Sequence, residues 1–132
     1  MDSDATLEFS LGAVFGHVSR PGRLGDWLPQ AARVKVGRGP VDVGHRFSLQ
    51  LVLEGDEMQA SGELIAYEPP WSVAYRLLAG QRAHVLRVTC SAAGENTSVH
   101  VHQHEVGAPL AVDFGRLHDA LATSNRPYEP GK

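Results

Sequence analysis

A single cysteine, Cys90, stands in the 132 residues, so no internal disulfide staples the chain and a reducing compartment suits it. A charge excess is missing too. Twelve basic against fifteen acidic residues leave a net charge of -3, without the broad positive field that draws nucleic acid or anionic membranes. No apolar run approaches the roughly 20 residues that span a bilayer, and Met1, Asp2, Ser3 and Asp4 are acidic where a secretory signal is basic. These absences exclude a disulfide scaffold, a nucleic-acid partner and a membrane span, and the expected location is cytoplasmic. Aromatic residues make up only 7% of the chain, yet 42% hydrophobic and 20% charged residues describe a folded globular protein and not a disordered one. The length fits one domain, residues 1–132, because single domains run to about 100 to 200 residues. Ten of the twelve basic residues are Arg, a bias that points to a GC-rich bacterial genome and carries no chemistry.

Residues 6–11 alternate like a short strand, and Val14, Phe15 and Val18 follow at helical spacing. Leu24, Trp27 and Leu28 then form one face of a second short helix that stops before Pro29. From residue 33 the period falls to two. A short strand at 34–36 precedes the series Phe47, Leu49, Leu51 and Leu53, and turn chemistry at 54–57, 79–81 and 93–96 divides the stretch up to Glu105 into hairpins. Leu110, Phe114, Leu117 and Leu121 make an apolar stripe at helical spacing, with Pro109 just inside the start of that helix and Pro127 beyond its end. An antiparallel meander with one apolar face needs a cover, and only this closing helix is long enough to give one. The fold class is therefore α+β.

Closing the first hairpin symmetrically about Gly55-Asp56 sets Leu53 opposite Met58, Leu51 opposite Ala60, Leu49 opposite Gly62 and Phe47 opposite Leu64. Large residues facing Ala60 and Gly62 leave volume for a cavity, unless large and small side chains interdigitate. The same construction sets Tyr75 beside Leu86 and Gln103, and Leu77 beside His84 and Glu105. Histidine next to a carboxylate in a desolvated pocket suits a general base, with Tyr75 or Gln103 orienting a carbonyl oxygen. A solvated strand end is the other reading of that pair.

His100-Val101-His102-Gln103-His104 places three histidines at strand spacing. Two neighbours on one face can share a metal ion, but His100 and His104 are about 13 Å apart along a strand, too far to meet on one ion. Val99 and Val101 take the core face and turn these histidines outward, while His45 and His84 share parity with apolar residues. No metal and no cofactor are expected, and the histidines read as an exposed strand. Cys90 shares parity with Leu86 and Val88 and reads as a small buried hydrophobe. Arg76 and Arg87 fall at outward parity.

Several landmarks then coincide: Trp27-Leu28-Pro29 after a first helix, Gly44 opening the long hairpin, and Gly62-Glu63 leading to Tyr67-Glu68-Pro69-Pro70. Asn96-Thr97-Ser98-Val99 opens the last strand before the closing helix. In this order they resemble the SRPBCC superfamily, the START and Bet v 1-like helix-grip proteins, and within it the polyketide cyclase/dehydrase-like branch. The resemblance spans roughly residues 6–122. It implies a curved antiparallel sheet wrapped around a C-terminal amphipathic helix, two short N-terminal helices, and a hydrophobic cavity between sheet and helix. A shorter first strand and a shorter closing helix are the departures from the family pattern. The expected cavity brings together Phe47, Leu49, Tyr75, His84, Leu86, Gln103, Phe114 and Leu117, with Trp27 and Leu28 nearer its mouth.

The fold hosts carriers, receptors and enzymes without a shared catalytic motif. The leading expectation is a protein that binds or transports a hydrophobic small molecule, a lipid or an aromatic, polyketide-like compound. A polyketide cyclase or dehydratase of the same fold, using His84, Glu105 and Tyr75, is the alternative, and a protein-interaction module is a third. A homodimer is left open.

Overall fold

The computed structural model describes residues 2–105 and 109–124, with Glu105 and Ser124 placed through their backbone. The elements run β1 (Asp2–Leu7), α1 (Leu11–Val18), a 3-10 helix (Pro21–Asp26), β2 (Ala31–Val36), β3 (Arg46–Leu53), β4 (Asp56–Glu68), β5 (Ser72–Ala79), β6 (Arg82–Ala93), β7 (Asn96–Glu105) and α2 (Phe114–Ser124). All seven strands form one antiparallel sheet in the order β1-β7-β6-β5-β4-β3-β2. The first strand thus lies against the last, and the continuous meander expected over 45–105 is present. No helix among the described residues is long and apolar enough to cross a membrane.

The N-terminal boundaries differ from the sequence reading for local reasons. The first strand is Asp2–Leu7, because pairing with β7 extends it toward the N-terminus, and Ser10 starts α1 by accepting a hydrogen bond from the Ala13 N–H. The second short helix is a 3-10 turn placed earlier than Leu24–Leu28, opened by Pro21 at its first position. At the other end Pro109 precedes α2 instead of entering it. Asp113 caps that helix: its Oδ1 accepts from Arg116 N at 2.9 Å and its carbonyl accepts from Leu117 N at 3.1 Å. Pro127, assigned beyond the helix end, lies outside the described residues.

The first hairpin is offset by two residues from the symmetric closure. Leu53 faces Asp56, Leu51 faces Met58, Leu49 faces Ala60 and Phe47 faces Gly62. The cause is a two-residue turn at Glu54-Gly55, both with positive φ (53° and 85°), the turn geometry that matches strand twist. A shift of two keeps every side chain on its face, so the core assignment survives. The later registers are as read: Tyr75 opposes Leu86, Leu77 opposes His84, Leu86 opposes Gln103 and His84 opposes Glu105.

One apolar core fills the concave side of the sheet. Leu49, Leu64, Tyr75, Leu86 and Val99 are buried from the strands, Val14 and Val18 from α1, and Leu117 and Leu121 from α2. Each helix therefore presents the stripe that its apolar spacing defines. Phe114 is half-buried against this core.

Candidate functional site

The residues expected around an internal cavity are together, and they are packed. Trp27, Leu28, Phe47, Leu49, Tyr75, His84, Leu86, Gln103 and Leu117 are all buried, and the rings of Phe47 and Tyr75 meet edge to face at 6.1 Å. Trp27 and Leu28 have no exposed surface at all, where a position nearer a cavity mouth was expected. The volume left opposite Gly62 is taken by the Phe47 ring, which a Cβ there would meet at 2.2 Å. Large and small side chains interdigitate at this place. Of the ten expected lining residues only Phe47 borders one of the described cavities, a shallow one of about 230 Å³ shared with Gly62 and Arg76.

The polar members of the set are tied to the scaffold. Tyr75 donates its hydroxyl proton to the Val18 carbonyl at 2.6 Å, pinning the end of α1 to the sheet, and burial pushes its phenol well above the usual range. Gln103 holds Leu110 by both ends of its amide: Nε2 donates to Leu110 O at 2.9 Å and Oε1 accepts from Leu110 N at 3.0 Å. That clamp sets the approach to α2. Neither group is arranged as a donor aimed into a reaction space. His84 is buried opposite Glu105 in the ladder, and the side chain of Glu105 lies outside the described residues. Cys90 is buried as expected, and burial raises its thiol pKa to about 12, the reverse of what a nucleophile needs.

The open space lies elsewhere, at the corner where α1, the 3-10 helix and the β2–β3 connection meet. Three surface cavities of about 410, 410 and 390 Å³ all border Arg20. One of the two larger ones lies between the 3-10 helix and the β2–β3 connection, where Pro21, Val36 and Val41 line the same space as Arg20, Arg23 and His45. Among the described residues neither arginine is in an ion pair. The nearby Asp26 is bound to His17 at 2.7 Å. His45 Nε2 is buried with no hydrogen-bond partner among the described residues, which is costly for a polar atom until something pairs with it. The site therefore combines apolar walls, two uncompensated guanidinium groups and one orphaned imidazole nitrogen. Sequence patterning missed it because Arg20 and Val41 belong to connections, Arg23 to a short 3-10 helix and Val36 to a strand end, where periodicity carries little signal. Only the interruption at Pro21-Gly22 marked the corner.

No family model matches the sequence, and no curated protein matches it. Solved structures do match in shape. Protein CV1439 from Chromobacterium violaceum is 14% identical, covering 97% of each chain with a TM-score of 0.66. Ara h 8.0201 is 16% identical over 94% of this chain and 88% of that one, with a TM-score of 0.60. The di-domain ARO/CYC StfQ from the steffimycin biosynthetic pathway is 11% identical over 98% of this chain, with a TM-score of 0.62. This chain spans only 41% of StfQ. At such identities the likeness shows the fold: a helix-grip fold, with a curved antiparallel sheet and a C-terminal helix. That fold is the one the sequence resemblance implies.

Proposed function

We propose that this chain binds a hydrophobic small molecule, lipid-like or aromatic, that carries an anionic or hydrogen-bond-accepting head. The observation that carries the reading is the groove of about 410 Å³ in which Pro21, Val36 and Val41 meet Arg20, Arg23 and His45. Its volume falls in the range of small-molecule sites, about 300 to 1,000 Å³. Apolar walls favour a hydrophobic body by removing its surface from water, and planar guanidinium groups bind carboxylate-like oxygens or stack on aromatic faces. On this reading the interior residues Trp27, Leu28, Leu49, Tyr75, Leu86, Gln103, Phe114 and Leu117 are the packed support behind the groove.

A second reading, a cyclase- or dehydratase-type enzyme, is favoured by the placement of buried His84 opposite Glu105. Its test needs a polyketide-like substrate, for which His84→Ala would lower turnover far more than affinity.

An anionic apolar dye, anilinonaphthalene sulfonate, tests the first reading. It should bind the folded protein saturably, and Val41→Asp and Arg20→Glu should each weaken it by at least about tenfold, or 1.4 kcal/mol. Absence of saturable binding, or equal affinity in both folded variants, would contradict the groove as the ligand site.

A further inference from the structure

A cluster of ligating side chains lies away from the groove, on the outer face of the β1–β7 pair. His100 and His102 alternate with the buried Val99 and Val101, so the two-residue strand period turns both imidazoles outward, side by side. The antiparallel register then sets Asp2 opposite His102 and Asp4 opposite His100. Asp2 Oδ1 is 3.1 Å from His100 Nε2 and 2.5 Å from His102 Nδ1. One ligand atom from each of the three residues lies within 4.8 Å of the other two.

We propose that Asp2, His100 and His102 form a surface site for a divalent transition-metal ion, zinc foremost, held by two imidazole nitrogens and one carboxylate oxygen. Zinc takes such donors at about 2.0 to 2.2 Å, which places tetrahedral ligand atoms about 3.3 Å apart. The two carboxylate-to-imidazole spacings of 3.1 and 2.5 Å need shifts of less than an ångström, and the two imidazole ligand atoms, within 4.8 Å of each other, need to close by at most about 1.5 Å, within the freedom of half-exposed side chains. Three protein ligands leave the fourth position to water.

The surroundings suit a cation. Asp4 Oδ1 stands 3.9 Å from His100 Nδ1, beyond hydrogen-bond reach, and adds negative charge beside the ring. Arg87 opposes His102 from β6, but its guanidinium reaches the other way, to Ser72 Oγ at 3.3 Å. His104 packs edge-on to His102 at 4.8 Å between centroids and is not one of the three ligands. The histidines by themselves do not converge, as their spacing along one strand requires. A ligand 98 residues away in sequence completes the set, which no local pattern could reveal.

Tag-free full-length protein titrated with zinc chloride in a calorimeter decides the matter. The expected result is one equivalent bound, with His100→Ala, His102→Ala and Asp2→Asn each weakening affinity by at least about tenfold and His104→Ala leaving it unchanged. Circular dichroism should show all four variants folded, since each side chain is at least partly exposed. Lack of saturable binding below about 1 mM would overturn the proposal, as would loss in His104→Ala equal to that in His102→Ala, or unchanged affinity in Asp2→Asn.

Discussion

The ring of Phe47 lies where a side chain on Gly62 would begin: a Cβ there would stand 2.2 Å from Phe47 Cε2 and 2.3 Å from Cζ. The two residues oppose one another across β3 and β4, and Phe47 is itself buried against Tyr75. The ring can retreat only toward the shallow cavity of about 230 Å³ that it borders. Gly62→Ala should therefore destabilise the fold by about 1 to 3 kcal/mol, the usual range for overpacking a core. Urea unfolding would measure it, and adding Phe47→Leu should recover part of the loss. An additive double variant would mean that the two sites do not press on each other.

Gln103 satisfies both the N–H and the carbonyl of Leu110. Replacing it with Leu keeps the bulk and strands two buried backbone groups, each costing about 1 to 3 kcal/mol. The expected loss in urea unfolding is about 2 kcal/mol or more. A loss under half of that would show that water reaches Leu110 and that the clamp is not what positions the approach to α2.

Tyr75 distinguishes scaffold from site. Its hydroxyl proton is committed to the Val18 carbonyl at 2.6 Å, so Tyr75→Phe should lower stability by about 1 to 2 kcal/mol and leave dye affinity unchanged. A stable variant with weakened dye binding would instead return Tyr75 to the ligand.

Most of the architecture was legible in the sequence because period-two alternation and turn residues survive local noise. The chain from Phe47 to Glu105 reads correctly as hairpins, and the partners of Tyr75 and His84 follow from counting residues about Gly80 and Gly94. Counting failed at Glu54-Gly55, where both residues adopt positive φ and draw the turn two residues tighter. The cavity expectation failed to place open space for a different reason. Facing a large residue with a glycine tells nothing about which way the large side chain leans, and Phe47 leans over Gly62. Arg20 and His45 join one groove only through connections that carry no repeating pattern, and Asp2 meets His102 only because β1 pairs with β7.

Cys90 offers a pH test. Burial raises its thiol from an ordinary 9.0 to about 12, so between those values the folded chain keeps a proton that the unfolded chain releases. Its contribution to stability is accordingly complete below the lower value and falls away as pH rises toward the upper one. Thiol-reactive disulfide reagents should leave the native protein unmodified at neutral pH and label Cys90 fully in denaturant. Rapid labelling of the native state would contradict the burial.

Native mass spectrometry of the purified, tag-free protein tests the central claim most directly, since it reads ligand occupancy without knowing the ligand. The account predicts a one-to-one complex with an apolar small molecule bearing an acidic or acceptor group, lost in the folded Val41→Asp variant. A chain that emerges bare, and stays bare after incubation with long-chain fatty acids and aromatic carboxylates, would contradict it.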